Sequence, residues 1–335
     1  MKIIHFSDTH LGFNDDIRED DFYDAFNQVV EYIKKTKPDY IIHTGDLFHR
    51  VSPSNKAIAF VIEKFSEIDK LNIPFIIIAG NHSVPRTTQA TPIFEIFENF
   101  KNIYPSYKEY KKFEFDDVVF HTIPHINDEN KANSEIDKIE LSDKKNILMM
   151  HCSVGRDYLM KEFGEWVFPK EKEDILKKMD YVALGHWHGF SKVMDNVYYS
   201  GSTERTSITD NRQKGFIELN DFNVEFKPIK VRPIIHKTID ANNLEFDIEG
   251  IKEAIVIVTI KNLTPLKSIE ITNKMVKEKY KDALEVYIKR EFVENNKKYN
   301  KIEAISIEDA FLEHLNDERL EAKVKELFSR FEEKL

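Results

Sequence analysis

The segment KIIHFSDTH, residues 2–10, decides the fold of this chain. Its first half is mostly apolar, as in a buried strand, and Asp8 and His10 follow where that strand should end. Residues two apart on an extended chain point to the same side, so these two side chains can hold one cation. Asp-x-His also occurs by chance, so the segment predicts a metal site only together with others of its kind.

Five further segments place oxygen and imidazole donors after an apolar run. They are Gly45-Asp46-Leu47-Phe48-His49, Gly80-Asn81-His82, His151, Gly185-His186-Trp187-His188 and Ser200-Gly201-Ser202. Ligand sites of open α/β sheets form at the carboxyl ends of the strands. The ordered set therefore predicts one site, built from the ends of several neighbouring strands.

The sequence between these segments predicts an α/β fold. Short apolar runs alternate with amphipathic helical stretches, which is typical of a parallel sheet covered by helices. One helix should bury an apolar face made of Phe22, Ala25, Phe26, Val29, Val30 and Ile33, and a second is predicted at about 54–71. The main predicted strands are residues 2–7, 40–44, 74–79, 118–123, 147–150, 181–184 and 197–200.

The pattern changes after residue 232, which predicts a second, smaller unit. A hairpin of Phe216–Leu219 and Val224–Val231 should close the first unit, with Arg232-Pro233 as its exit. Strands are then predicted at 234–239, 254–260 and 284–290, with helices near 248–253 and 268–281. The predicted organisation is a first domain at 1–232, an α+β domain at 233–306 and a C-terminal amphipathic helix at 307–335.

Composition and charge limit the class of protein. The single cysteine, Cys152, excludes an intrachain disulfide. The first residues read as a core strand rather than a secretory leader, and no run approaches the roughly 20 apolar residues of a membrane span. The net charge of −10 argues against wrapping nucleic acid by bulk electrostatics, but bound divalent ions would bring positive charge to a cleft. We therefore expect a cytoplasmic protein, and a DNA enzyme is not excluded.

The donor types predict a site for two metal ions. The carboxylate of Asp46 can bridge two cations, while Asn81 offers an amide oxygen and His151 an imidazole. This mixture suits Mn, Fe or Zn better than Ca or Mg. Two such ions, roughly 3.5 to 4 Å apart, would clamp a phosphate and activate a water. Any one of these residues could instead cap a helix or be a hydrogen-bonded, half-buried histidine, but the ordered set favours the metal site.

The ordered set resembles the calcineurin-like metallophosphoesterase superfamily. The resemblance rests on Asp8-x-His10, Gly45-Asp46, Gly80-Asn81-His82, His151 and Gly185-His186-x-His188, and it covers residues 1 to about 230. Leu47-Phe48-His49 and Gly201-Ser202-Thr203-Glu204-Arg205 are most similar to the meiotic recombination eleven and SbcD group of DNA repair nucleases. The implied fold is a two-sheet metallophosphoesterase sandwich flanked by helices, followed by a smaller α+β capping domain.

The resemblance also implies a role for each donor. Asp8, His10 and His188 would hold the first ion, Asn81, His151 and His186 would hold the second, and Asp46 would bridge them. His82 would stabilise the scissile phosphate and protonate the leaving oxygen, and His49 would orient His82 or contact DNA. The ions would be manganese (Mn2+). Ser83 departs from the pattern, because relatives usually carry an acidic residue there.

A DNA nuclease is therefore the predicted function, with exonuclease action on duplex ends and endonuclease action on single strands. The implied partners are DNA, an SMC-like ABC ATPase of the SbcC type and a second copy of the chain. The predicted dimer surface uses segments 54–71 and 91–100, including Phe94 and Phe97. Two alternatives remain open: a phosphatase or cyclic-nucleotide phosphodiesterase of the same superfamily, and a DNA-end tethering protein with residual catalysis.

Overall fold

Two six-stranded sheets lie face to face, and a three-stranded sheet follows them in the chain. The computed structural model describes residues 1–13, 17–84, 92–159 and 165–293. The strands in chain order are β1 (Lys2–Phe6), β2 (Tyr40–His43), β3 (Phe75–Ile78), β4 (Ile103–Ser106), β5 (Lys111–Glu114), β6 (Val118–Ile123), β7 (Lys145–His151), β8 (Tyr181–Gly185), β9 (Ser191–Met194), β10 (Val197–Tyr199), β11 (Gly215–Asn220), β12 (Asn223–Pro228), β13 (Ile234–Asp240), β14 (Ile255–Leu263) and β15 (Glu285–Phe292).

The helices lie mainly on the outer faces of the two large sheets. They are α1 (Glu19–Thr36), α2 (Asn55–Asp69), α3 (Glu129–Ile136), α4 (Asp174–Lys177), α5 (Pro265–Glu270) and α6 (Asn273–Lys279), with 3-10 turns at Ile93–Asn99, Arg156–Tyr158 and Lys170–Lys172. In α1 all six predicted apolar residues are buried. Acidic residues in its first turn and lysines in its last turn also complement the helix dipole. None of the described helices combines the length and apolarity required to cross a bilayer.

The strand order confirms the predicted α/β sandwich. The first sheet runs β12-β11-β1-β2-β3-β4 and the second β5-β6-β7-β8-β10-β9. Strands β1 to β4 are parallel, as are β6, β7, β8 and β10. Ile3, Ile42 and Ile76 of the first sheet share an apolar cluster with Phe120 and Ile147 of the second. Helices α1 and α2 cover the outer face of the first sheet, and α3 and α4 that of the second.

The third sheet forms the predicted smaller α+β unit. Strands β13, β14 and β15 are parallel, and Ile255 pairs with both Ile234 and Glu285. Together with Val276 of α6 they form a separate apolar cluster that includes Val258 and Tyr280, whereas α5 buries no residue. The domain boundaries at 232/233 and 306/307 stay predictions. Residues 294–306 and the predicted helix at 307–335 lie outside the described part of the chain.

Three predictions about local structure are corrected. The expected helix at 248–253 is irregular chain, and the one expected at 268–281 is divided into α5 and α6. Phe94 and Phe97 are fully buried against Phe65 and Tyr107. These two phenylalanines belong to the interior, so they cannot build a dimer surface.

Candidate metal centre

Six parallel strand ends, three from each large sheet, meet at one edge of the sandwich. Asp8 and His10 follow β1, Asp46 follows β2, Asn81 and His82 follow β3, His125 follows β6, His151 ends β7, and His186 and His188 follow β8. Backbone hydrogen bonding between the chain that follows β1 and the chain that follows β2 continues beyond the ends of these strands. The backbone N–H of Asp8 donates to Gly45 O and that of His10 to Asp46 O, each at 3.0 Å. The predicted donors of β1 and β2 are therefore fixed side by side.

Four of the proposed ligands have a left-handed backbone. Their φ angles are 51° at Asp8, 43° at His10, 53° at Asp46 and 94° at His186. Non-glycine residues rarely take this conformation, which costs about 1 to 3 kcal/mol each and is typical of functional sites. The turn at each strand end aims successive side chains at one point. The surrounding fold therefore maintains a strained backbone where the donors meet.

Three glycines allow the strand ends to approach one another. A Cβ on Gly80 would lie 2.2 Å from Asp46 Oδ1, and one on Gly45 would lie 2.2 Å from His151 Nδ1. A Cβ on Gly185 would lie 2.0 Å from the carbonyl oxygen of Thr44. These contacts are too close for any larger residue, so glycine is required beside three of the donor segments.

The first group of donors consists of Asp8, His10 and His188. Their donor atoms lie within 4.8 Å of one another, and all three residues are buried. His10 Nε2 is 3.1 Å from His188 Nε2, while His188 Nδ1 lies 3.0 Å from Thr206 Oγ1. The other ring nitrogen of His10, Nδ1, is buried, and no residue in the described part of the chain hydrogen-bonds to it. Two imidazole nitrogens directed at one another can accept a shared cation.

The second group consists of Asp8, Asp46 and His151, so Asp8 belongs to both. His151 Nδ1 donates to the carbonyl oxygen of Thr44 at 2.7 Å, so a neutral ring presents a lone pair at Nε2. That nitrogen lies 2.9 Å from Asn81 Oδ1 and 3.3 Å from Asp46 Oδ2. A lone pair facing two acceptor oxygens is repulsive unless a proton or a metal ion lies between them.

The charges of this centre are strongly coupled because it is buried. Burial raises the pKa of Asp8 to about 7, and Asp46 adds to the shift. Burial alone would raise the pKa of Asp46, but His151 and His82 outweigh it and hold that pKa well below its ordinary value. Burial likewise opposes the charged form of His151, yet Asp46 and Asp8 raise its pKa to about 9. A divalent cation would stabilise both carboxylates in their ionised form.

His82 and His49 lie beside the donors. The backbone N–H of His82 donates to Asp46 Oδ1 at 3.0 Å, and its ring Nδ1 donates to the carbonyl oxygen of His49 at 2.7 Å. The two rings stack with centroids 5.4 Å apart, and His49 packs on Phe13 at 4.7 Å. The hydroxyl of Ser83 is buried and has no hydrogen-bond partner among the described residues. His49 rather than Ser83 therefore orients the ring of His82.

A profile of the family described as calcineurin-like phosphoesterase matches residues 1–190, which include every predicted ligand. The chain belongs to this family. It is also similar to curated proteins named DNA double-strand break repair protein Mre11, which confirms the predicted resemblance. The protein from Sulfurisphaera tokodaii is 34% identical over 192 residues, 56% of this chain and 49% of that protein. The protein from Thermoplasma acidophilum is 28% identical over 271 residues, 73% of this chain and 70% of that one.

A third Mre11 protein aligns with nearly the whole chain. The Methanocaldococcus jannaschii protein is 29% identical over 352 residues, covering 98% of this chain and 88% of that protein. The chain thus spans about half the length of the Sulfurisphaera relative but most of the Methanocaldococcus one. Similarity to Mre11 therefore extends beyond the residues that the phosphoesterase profile matches.

Membership of this family implies divalent metal ions, and the residues present fit them. The donors are carboxylates, an amide and imidazoles, which is a set suited to transition metals. The lone pair of His151 against two oxygens, the facing Nε2 atoms of His10 and His188, and the raised pKa of Asp8 are each relieved by a cation. Five of the seven predicted ligands form these two groups, which share Asp8 rather than Asp46, and Asn81 Oδ1 lies 2.9 Å from His151 Nε2. His186 belongs to neither group: its ring centroid lies 5.4 Å from that of His151, and its Nε2 lies 3.1 Å from Glu165 Oε1. A third possible donor group among the described residues is His10, His49 and His82.

The sequence reading of this phosphoesterase missed three residues at the centre. His125 is buried edge-on to His151, with ring centroids 6.5 Å apart, and burial lowers its pKa to about 4. Glu165 Oε1 lies 3.1 Å from His186 Nε2. Buried Lys214 donates through Nζ to His188 O, Ser202 Oγ and Asp210 Oδ2, at 2.9, 2.8 and 2.7 Å. His125 had a positional signal, since it follows the apolar run 118–123 by two residues.

Proposed function

We propose that this phosphoesterase is a two-metal DNA nuclease that hydrolyses phosphodiester bonds in DNA repair. It would act as an exonuclease on duplex ends and as an endonuclease on single strands. The observation that carries the proposal is the pair of donor groups sharing Asp8, with His82 and His49 beside Asp46. Mre11 similarity along nearly the whole chain supports DNA as the substrate.

The proposed assignment of ligands follows the resemblance. Asp8, His10 and His188 would hold one ion, Asn81, His151 and His186 would hold the other, and Asp46 would lie between them. When bound, two divalent ions, which we propose to be Mn2+, supply Lewis acidity to a phosphate and lower the pKa of a water. Thr44 and Thr206 would fix the ring orientations of His151 and His188 by contacting their Nδ1 atoms.

His82 is the proposed general acid. Because its Nδ1–H donates to His49 O, its Nε2 is the nitrogen that can gain and lose a proton near the centre. Nε2 lies 4.0 Å from Asp46 Oδ2, so it is directed at the same region as the donors. A proton held there would pass to the leaving oxygen of the cleaved ester. His49 would keep the ring of His82 in place through its carbonyl oxygen and through stacking.

We also propose the assembly that the resemblance implies. Residues 1–232 would be the nuclease domain and 233–306 the capping domain, and the protein would act in the cytoplasm. Its partners would be a second copy of the chain and an SMC-like ABC ATPase. Since Phe94 and Phe97 are interior residues, a dimer would have to use other surfaces. Sedimentation of the wild type as a strict monomer would contradict the proposed dimer.

One assay tests the proposed activity. Purified protein with Mn2+ is given end-labelled duplex DNA, single-stranded DNA and p-nitrophenyl phosphate in parallel. We expect both DNA substrates to be shortened or cut, and EDTA to abolish this. Hydrolysis of the small ester with no loss of DNA would establish the phosphatase alternative. DNA binding without any hydrolysis would favour the tethering alternative.

A further inference from the structure

Two aromatic side chains lie on the loop that carries two of the proposed ligands, and an arginine from the chain between β10 and β11 packs against it. Trp187 stands between His186 and His188. The guanidinium carbon of Arg212 lies over its indole, 4.8 Å from the ring centroid. Phe190 follows two residues after His188, is 40% exposed, and stacks on Phe226 with centroids 4.7 Å apart. We call Trp187, Phe190 and Arg212 the stacking rim.

The stacking rim is held in place by specific contacts. Arg212 donates through Nε to Asp210 Oδ1 at 2.7 Å and through Nη2 to Oδ2 at 2.9 Å. Asp210 is itself held by buried Lys214. A Cβ on Gly189 would lie 2.9 Å from Trp187 Nε1 and 3.0 Å from Arg212 Cδ. Glycine at this position therefore lets the indole and the arginine close over the loop, while the Arg212 side chain remains 38% exposed.

The chemistry of the rim fits a nucleobase. Aromatic rings and guanidinium planes bind bases by stacking, and such contacts tolerate any sequence. In a duplex the faces of a base are covered by its neighbours, so an unpaired base is the form that offers a face. The net charge of −10 also leaves little attraction between DNA and the protein surface as a whole. Contacts other than bulk charge are needed beside the cleavage site.

We propose that the stacking rim binds an unpaired nucleobase of the strand being cut, next to the scissile phosphate. The position follows from buried Lys214, which donates both to the carbonyl oxygen of His188, a proposed ligand, and to Asp210, the partner of Arg212. This inference rests on the proposed nuclease function and specifies its substrate as a strand with an unpaired base near the cut. A purely structural role, in which Arg212 only packs on Trp187, is the competing explanation.

The test compares two strands that differ only in their bases. A fluorescent single-stranded oligothymidylate and a fully abasic strand of equal length are titrated by anisotropy, with Ca2+ replacing Mn2+ to limit cutting. The wild type should prefer the strand with bases. Arg212→Ala should reduce that preference about five-fold or more, the lower range for loss of one base-stacking residue. Arg212→Lys should not restore it, because an ammonium group has no plane to stack.

Controls separate stacking from charge and from misfolding. Lys192→Ala removes an exposed positive charge from β9 of the second sheet and should leave the preference for bases intact. Melting temperature and metal content of the Arg212 variants show whether the fold is preserved, and Phe190→Ser gives a second substitution in the rim. Equal loss on both strands, or no loss, would overturn the inference while the nuclease function stands. Wild-type protein that hydrolyses bis-p-nitrophenyl phosphate but binds neither strand would overturn both.

Discussion

At the scale of single residues, His82 contacts Asp46 most closely through its backbone. Its N–H donates to Asp46 Oδ1 at 3.0 Å, whereas ring Nε2 lies 4.0 Å from Oδ2. His82→Ala keeps that backbone bond, so we expect both metal ions to remain. Loss of the proposed general acid should slow DNA cleavage by about 10² to 10⁴. Metal analysis together with a cleavage assay measures the two effects separately.

His188→Ala is the matched control for this prediction. It removes a nitrogen from the first donor group, so we expect metal content to fall together with activity. If His82→Ala also loses metal, His82 is a ligand and its proposed role is wrong.

The buried carboxyl group of Glu204 should make the free energy of unfolding depend on pH. It is 2% exposed, and burial raises its pKa from an ordinary value near 4.5 to about 7. Between these values the unfolded chain gives up the proton while the folded chain keeps it, so rising pH favours unfolding. The folded state should therefore lose stability from about pH 4.5 to pH 7, by on the order of 3 kcal/mol for this group.

Glu204→Gln tests this dependence with little change of shape. Glutamine can accept the same N–H bond from Arg205 but carries no charge. We expect the variant to be more stable than the wild type at pH 8, with the advantage disappearing near pH 4.5. Urea unfolding at both pH values measures the difference. An equal difference at the two pH values would show that Glu204 does not titrate as stated.

At the scale of elements, strand ends were the most predictable feature. Apolar runs such as 118–123 and 181–184 become β6 and β8, because a strand buried on both faces must be largely apolar. Short strands were not predicted where polar and apolar residues are mixed. Strand β5, for example, reads KKFE and is partly exposed. The buried face of α1 was clear from its periodicity, whereas the order of the strands depends on contacts that no local pattern encodes.

The same contrast applies to the candidate site. Donors that directly follow an apolar run were found, because position along a strand fixes where such side chains emerge. His125 obeys that rule and was overlooked. Glu165 comes from irregular chain and had no signal in the sequence, and the contact of Lys214 with the backbone carbonyl of His188 depends on the fold. The sequence pattern likewise predicts that Phe94 and Phe97 pack against other apolar residues. It does not tell whether they pack in the interior or against a second copy of the chain.

The ends of β2 and β3 lie so close together that a side chain larger than glycine at position 80 should push them apart. In Gly80→Ala the new Cβ would lie 2.2 Å from Asp46 Oδ1 and 2.5 Å from the Asp46 backbone nitrogen. Because backbone cannot yield as a side chain can, the ends of β2 and β3 must separate. We expect reduced metal content and about 1 to 3 kcal/mol of destabilisation.

Gly250→Ala is a control in which the added Cβ strains the backbone but does not clash with a neighbouring atom. Gly250 has a φ of +71°, and apart from its chain neighbours no described residue has a heavy atom within 4 Å of the added Cβ. It should cost about 1 to 2 kcal/mol and leave metal content unchanged. Metal analysis and urea unfolding of both variants make the comparison. Full metal content in Gly80→Ala would show that the approach of these strands is not needed for binding.

At the scale of the whole molecule, Arg232 connects the sandwich to the third sheet. Its Nη2 and Nε donate to Asp21 Oδ1 and Oδ2 at 2.7 and 2.8 Å, a two-pronged ion pair with α1. Its Nη1 donates to the carbonyl oxygen of Glu253, next to β14, at 2.6 Å. Arg205 Nη1 donates to the Arg232 carbonyl oxygen at 2.9 Å. One residue therefore joins the helix layer, the loop after β10 and the smaller unit.

Arg232→Leu should weaken the connection between the two units. Asp21 is 7% exposed, so removing its partner leaves a buried carboxylate uncompensated, at a cost of about 3 to 5 kcal/mol. Hydrogen exchange should accelerate in β13 and β14 more than in β1 and β2, because the third sheet loses its tie to the larger core. Lys261→Leu breaks an exposed pair with Glu291 at 3.8 Å and should change little.

Adding Asp21→Leu to Arg232→Leu should recover part of the lost stability, since the buried carboxylate of Asp21 is then absent as well. If exchange rises equally in all sheets, Arg232 stabilises the fold without coupling its two parts.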